Sequence, residues 1–171
     1  ITLYPTRFMS TARILQTTSE TLDDIIDTWI EANKKSTQKE EADSNFTSEL
    51  KNIFAIPQNK ILQIMNNSSK YLSNKDNLKN DLFDYLKNEL QEKENLASKE
   101  NFNMFIRYQY IQAIDKSWLD HLEVLEGLRE AVHLRSYGSK NPLTEYKIDG
   151  FNIFYDMLDT IRLFPVKRVY H

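Results

Sequence analysis

Two long apolar-periodic runs, separated by a very short connector, constrain this chain more than any other feature. The first run keeps a helical period from about Asn101 to Arg135, and a helix of that length would extend about 50 Å. The connector is the segment SYGSKN, residues 136–141. Because so short a connector forces the next helix to turn back at once, the two helices must be antiparallel neighbours. The sequence therefore predicts a two-helix prong.

The residues at the ends of the two runs support this interpretation. Asn141 can cap the first amides of the second helix, and Pro142 suits the first helical position. Gly138 is expected to adopt the left-handed conformation that ends the first helix. Gly150 costs about 1 kcal/mol relative to alanine inside a helix, which predicts a close approach of the partner helix. Pro165 would interrupt the helical continuation, so the pattern leaves open where the second helix ends.

The N-terminal part of the chain also has helical patterns. Residues 1–16 carry apolar side chains that indicate a short helix or the end of a helix. Residues 17–35 place apolar side chains at spacings of three and four, as one face of a helix requires. Thr17 and Glu20 have the spacing of a capping box, so we expect this second helix to begin at Thr17.

Further helices are predicted in the middle of the chain. The polar residues 36–45 lack a periodic pattern and are expected to form a loop. Pro57 separates two short helical patterns, and a longer helix is expected from about 76 to 94. Residues 17–94 therefore form a small helical module.

Composition agrees with an all-α fold. The 171 residues include only three glycines and four prolines, so long helices are favoured over tight hairpins. The net charge of −3 gives no reason to expect nucleic-acid binding. No cysteine is present for a disulfide or a thiolate metal site, and no apolar run approaches the roughly 20 residues that span a bilayer. We expect an all-α protein, a small helical module followed by a long antiparallel two-helix finger.

The segment Ile111–Arg162 resembles the C-terminal region of the SecA family, the motor ATPases of bacterial preprotein translocation. Strong resemblance extends over residues 102–162. An ordered series of residues carries it: Ile114, Asp115, Trp118, His121, Leu122, Leu128, Arg129, Leu134, Arg135, Tyr137, Pro142, Glu145, Tyr146, Lys147, Phe151, Met157 and Leu158.

This resemblance implies a division into three parts. Residues 1–16 would be the end of the scaffold helix, 17–94 the helical wing domain, and 95–171 the two-helix finger of the helical scaffold, with its tip at 136–141. The implied finger core consists of six residues: Trp118, His121, Leu122, Leu125, Tyr146 and Phe154.

The resemblance also implies a role for the tip. In the SecA family the finger enters the cytoplasmic funnel of the SecYEG channel, and the tyrosine that matches Tyr137 contacts the translocating polypeptide. A phenol ring offers an apolar face and a hydroxyl, so it can engage nearly any unfolded preprotein. The remaining implied tip residues are Arg135, Ser136, Gly138, Ser139 and Lys140. A solvent-exposed turn tyrosine without a partner is the simpler alternative.

The function implied for the parent protein is ATP-dependent preprotein translocation, with this region restraining the motor ATPase. The expected partners are SecYEG, unfolded preprotein and the parent's motor domains, and a homodimer is a further possibility. The expected location is the cytoplasm and, peripherally, the cytoplasmic face of the inner membrane. The sequence has no phosphate-binding G-x-x-x-x-G-K-[ST] motif, so ATP and Mg²⁺ are assigned to the parent motor, and no cofactor or metal to this fragment. A free-standing helical adaptor without catalytic activity is the alternative.

Overall fold

The computed structural model describes residues 9–35, 39–135, 138 and 141–171. Over these residues the chain forms seven α-helices and no strand, which confirms the predicted all-α fold. The helices are α1 (Thr11–Lys34), α2 (Lys39–Phe54), α3 (Gln58–Asn66), α4 (Ser68–Ser73), α5 (Lys75–Ala97), α6 (Lys99–Arg135) and α7 (Pro142–Tyr170).

The two longest helices correspond to the two apolar-periodic runs. Helix α6 has 37 residues and α7 has 29. Helix α7 continues through Pro165, so this proline does not end it. Pro165 has no amide proton to donate to the carbonyl of Ile161, but Pro165 is buried, as are Val166 and Val169 in the next turn. Burial of this part of α7 holds the helix together across the missing hydrogen bond.

The middle of the chain follows the predicted pattern in two places. Helix α2 ends at Phe54 and α3 begins at Gln58, so Pro57 separates two helices as expected. Helix α5 starts one residue before the predicted position. The side-chain oxygen of Asn74 accepts a hydrogen bond from the backbone nitrogen of Asn77 and thereby caps the N-terminus of α5. Four leucines at every fourth position of α5 are buried, as the apolar pattern predicts: Leu78, Leu82, Leu86 and Leu90.

Two expectations in the N-terminal part were wrong. Thr17 does not begin a helix, because α1 is already helical from Thr11 and Thr17 is fully buried within it. Residues 39–45 are not a loop, because α2 begins at Lys39. Ala42 and Phe46 are buried at helical spacing among polar neighbours, so tertiary packing stabilises a helix that the polar composition concealed.

The chain divides into two compact units. The first unit comprises the described part of Ile1–Arg107 together with Val166–His171, and the second unit comprises Tyr108–Pro165. In the first unit, the ring of Trp29 stacks on that of Phe46 with centroids 4.6 Å apart, and the indole nitrogen donates to Asp43 at 2.7 Å. These contacts join α1 to α2.

Candidate contact surface of the helix pair

Helices α6 and α7 pair within the second unit. The ring of Phe154 on α7 lies 6.4 Å from that of Trp118 and 5.9 Å from that of His121 on α6. Further along α6, a side chain of Leu125 approaches Gly150, which precedes Phe154 on α7. Contacts therefore move backwards along α7 as they move forwards along α6. This is the antiparallel arrangement that the short connector requires.

Gly150 lies at this contact between α6 and α7, but the contact leaves enough space for a residue with a methyl side chain. A methyl group placed on Gly150 would lie 3.7 Å from Cδ2 of Leu125 and 3.9 Å from Cδ2 of Leu128. Both distances are ordinary van der Waals contacts. The helices approach each other through leucine side chains at this point, so alanine could replace Gly150 without displacing its neighbours.

His121 is the most buried of the predicted finger-core residues. It is 6% exposed, and its ring meets the rings of Trp118 and Phe154 nearly edge-on. Its Nδ1 atom is buried and has no hydrogen-bond partner among the residues that the structure describes. His121 therefore contributes to the seam mainly through packing of its ring.

The other predicted finger-core residues are less buried. Leu125, Tyr146 and Phe154 are half-buried. Trp118 is 43% exposed and Leu122 is 57% exposed, which differs from the prediction that both belong to the core. Each follows a buried residue, Ser117 or His121, and one step along a helix turns the side chain by about 100°. Two paired helices bury a narrow seam, so the flanks of a wide apolar stripe stay exposed.

Only part of the predicted tip can be placed. Ser136, Tyr137, Ser139 and Lys140 lie outside the described residues, as does the side chain of Arg135, the last residue of α6. Gly138 is exposed. The left-handed conformation expected for Gly138 stays a prediction, because its φ angle depends on Tyr137, which lies outside the described residues.

The start of α7 agrees with the sequence. The side-chain oxygen of Asn141 accepts hydrogen bonds from the backbone nitrogens of Leu143 at 3.0 Å and Thr144 at 3.4 Å. Pro142 occupies the first helical position. This cap fixes the residue at which the connector ends and α7 begins.

Exposed apolar side chains extend along both helices of the second unit, a feature that the periodic pattern alone did not reveal. In α6 and α7 they include Leu119, Leu122, Val124, Phe151 and Tyr155, each between 49% and 70% exposed. Such a density of exposed apolar side chains is typical of a surface that contacts other protein. The width of the apolar stripe indicates this exposure, because the apolar residues of α6 cover more of the helix surface than one partner helix can bury.

Among the described residues, no group of three or more histidine, cysteine, aspartate or glutamate side chains is arranged to hold a metal ion. None of the helices in the same residues combines the length and the apolar character that crossing a membrane requires.

The fold and the exposed apolar surface of α6 and α7 place this chain in the class of all-α proteins with a long antiparallel helix pair. The model of the SecA Wing and Scaffold domain matches residues 5–171, and the chain belongs to that family. It is 68% identical over 90 residues to the protein translocase subunit SecA of Treponema denticola, an alignment that covers 53% of this chain and 10% of the relative. It is 43% identical over 124 residues to that of Borreliella burgdorferi, covering 72% of this chain and 13% of the relative.

These alignments cover about a tenth of the length of the relatives. No solved structure matches the chain. The chain therefore corresponds to a short region of these relatives.

Proposed function

We propose that this chain is the wing and two-helix finger region of a SecA translocase. The complete protein would use ATP hydrolysis to drive unfolded preproteins through the SecYEG channel. The family match over residues 5–171 supports this proposal, and it favours a translocase region over a free-standing adaptor. The antiparallel pairing of α6 and α7, shown by the contacts of Phe154 with Trp118 and His121, is the structural observation that carries it.

The proposed contact with the preprotein is made at the connector between α6 and α7. Tyr137 would present its ring to the passing polypeptide, with Arg135, Ser136, Ser139 and Lys140 around it. Two observations support an accessible tip: Gly138 is exposed, and a methyl group added there would meet no atom within 4 Å. An aromatic contact contributes on the order of 1 kcal/mol, which resists slippage without trapping the substrate.

The exposed apolar side chains of the second unit support a second part of the proposal. Trp118, Leu122 and Phe151 would be covered by the motor domains of the complete protein, and through this contact the region would restrain the ATPase until preprotein and channel bind. ATP and Mg²⁺ would be bound by the motor. The complete protein would act at the cytoplasmic face of the inner membrane as a peripheral protein.

Substitution of Tyr137 in the complete translocase tests the contact at the tip. Tyr137→Ala is expected to reduce preprotein transport into SecYEG vesicles about fivefold or more, because an aromatic contact of about 1 kcal/mol corresponds to roughly a fivefold factor. The melting temperature should change little, because a tip ring buries little area. Tyr137→Phe keeps the aromatic face and should retain most of the transport.

A matched control separates the tip from the general loss of a tyrosine. Tyr71 lies on α4 in the first unit, where its hydroxyl donates to Asp81 at 2.9 Å. Tyr71→Ala should leave transport unchanged. If Tyr137→Ala lowered transport and melting temperature together, or if both alanine variants behaved alike, the contact role of the tip would be wrong.

A further inference from the structure

A cleft in the first unit lies between α3, α4 and α5. Its volume is about 320 Å³, and seven side chains line it: Lys60, Gln63 and Ile64 from α3, Tyr71 from α4, and Asp81, Leu82 and Asp84 from α5. Pockets that bind small ligands have volumes of about 300–1,000 Å³, so this cleft lies at the small end of that range. It therefore suits one long side chain better than a bulky ligand.

The cleft has an apolar floor and a polar rim. Ile64 is 4% exposed and Leu82 is 0% exposed, so both belong to the core of the first unit. Gln63, Asp81 and Asp84 are exposed at the rim. A ligand that fits this cleft must combine an apolar stem with a polar head, as the long side chains of lysine and arginine do.

The two carboxylates of the rim decide the charge of that head. Oδ2 of Asp81 accepts a hydrogen bond from the hydroxyl of Tyr71 at 2.9 Å, which orients the carboxylate and leaves its other oxygen available. Burial and this hydrogen bond raise the pKa of Tyr71, so the phenol remains a donor at neutral pH. Asp84 makes no hydrogen bond or ion pair with another described residue. The rim therefore offers acceptors to a cation.

A cation of this chain already lies at the same rim. The ammonium of Lys60 is 5.4 Å from the centroid of the Tyr85 ring, and Tyr85 directly follows Asp84 on α5. Such a cation–π contact shows that this part of the surface is favourable for positive charge. Lys60 offsets only one of the two negative charges that line the cleft, so the cleft remains acidic.

We propose that the cleft binds the side chain of an arginine residue in an extended polypeptide. The methylene groups pack on Ile64 and Leu82, and the guanidinium bonds to Asp84 and to the available oxygen of Asp81. Arginine fits better than lysine, because its planar group carries five donors and can serve two carboxylates at once. For the identity of the polypeptide, the preprotein, this inference rests on the proposed function.

Peptide binding to the complete protein tests the cleft, measured by fluorescence anisotropy. The probes are a short labelled peptide with one arginine and the same peptide with citrulline, which has a similar shape but no charge. Asp84→Asn should weaken binding of the arginine peptide about tenfold, the effect of a lost charge-assisted hydrogen bond, and leave the citrulline peptide unaffected. Glu92→Gln, at an exposed position of α5 outside the cleft, is the matched control and should change neither affinity.

Lys60→Met provides a change in the opposite direction. It removes the positive charge that repels the guanidinium, so binding of the arginine peptide should become about threefold tighter. A misfolded variant could not produce this gain. Lys87→Met, at an exposed position of α5, should leave the affinity unchanged. Equal affinities of the unsubstituted protein for the two peptides, or an unchanged affinity for the arginine peptide in Asp84→Asn, would overturn the proposal.

Transport measurements separate this proposal from the proposed function. The cleft contributes affinity and not the transport step, so the maximal transport rate at saturating preprotein should be the same in Asp84→Asn as in the unsubstituted protein. Normal transport in Tyr137→Ala would contradict the contact at the tip, and the arginine preference of the cleft would still be measurable. A reduced maximal transport rate in Asp84→Asn would contradict the role of the cleft in affinity alone.

Discussion

The hydroxyl of Tyr170 lies 3.1 Å from the hydroxyl of Thr18 in the interior of the first unit. Burial raises the pKa of Tyr170 well above its ordinary value of 10.0, with opposition from the Thr18 hydrogen bond and a further increase from the charge of Glu89. The folded state therefore favours the neutral phenol more than the unfolded state does. The resulting stability is fully present below pH 10 and is lost as the pH rises above it, because only the unfolded chain then ionises at this residue.

Tyr170→Phe should accordingly change the alkaline part of the stability profile. At neutral pH the variant should lose about 1 kcal/mol with the Thr18 hydrogen bond, and this difference from the unsubstituted chain should shrink as the pH rises above 10. Urea unfolding at a series of pH values measures it. Thr18→Val, which keeps the buried phenol, should retain the alkaline loss. Parallel profiles for the unsubstituted chain and Tyr170→Phe would contradict the assignment.

Gly150 and Gly127 form a natural pair for testing the contact between α6 and α7. A methyl group at Gly127 would meet no atom within 4 Å, and one at Gly150 would make only ordinary contacts with Leu125 and Leu128. Each alanine substitution should therefore raise the free energy of unfolding by about 0.5–1 kcal/mol through helix propensity. If Gly127→Ala stabilised the chain while Gly150→Ala destabilised it, the two helices would be closer than the structure shows.

The leucine stripe of α5 predicts a larger effect. Leu86 is fully buried, so Leu86→Ala should cost about 2–5 kcal/mol through lost transfer free energy and an incompletely filled cavity. Leu62 is 53% exposed on α3, and Leu62→Ala should cost less than about 1 kcal/mol. Urea midpoints of the two variants check the contrast, and similar losses would show that Leu86 is not a core residue.

The parts of the fold that could be predicted from the sequence are those with a long, local pattern. Helix α6 and the α5 leucines repeat at helical spacing over many turns, so their helices follow from periodicity alone. Helix α2 was predicted only from Phe46 onwards, and its residues 39–45 were assigned to a loop, because Ala42 is the one buried residue among them and its neighbours are polar. Helix α2 is stabilised by its packing against α1, and the spacing of residues within α2 cannot show that contact.

The candidate site shows the same limit. Asn141 was identifiable as a cap because the cap and its amides are neighbours in sequence. The exposure of Trp118 depends on how much of α6 a partner helix covers, and the hydrogen bonds from the ammonium of Lys93 to the carbonyls of Val169 and Tyr170 join residues 76 and 77 positions apart. Such relationships are set by tertiary packing, so composition and spacing could not give them.

Pro165 offers a test of how much burial compensates for a proline inside a helix. Pro165→Ala would restore an amide donor for the Ile161 carbonyl and remove an interior helix penalty of about 3 kcal/mol. Losing two buried methylenes costs about 1.6 kcal/mol, and the more flexible unfolded chain costs roughly a further 0.5–1 kcal/mol. The balance predicts a gain of about 0.5–1 kcal/mol in the free energy of unfolding, measured by urea denaturation.

Pro142 is the matched control because it occupies the first position of α7, where proline is favourable and no helical bond is lost. Pro142→Ala should leave stability unchanged or lower it slightly. A loss in Pro165→Ala as large as or larger than that in Pro142→Ala would mean that packing of the Pro165 ring outweighs the missing hydrogen bond. Slower exchange of the amides in 166–171 should accompany the expected gain, because the helix on both sides of position 165 would then be continuously hydrogen-bonded.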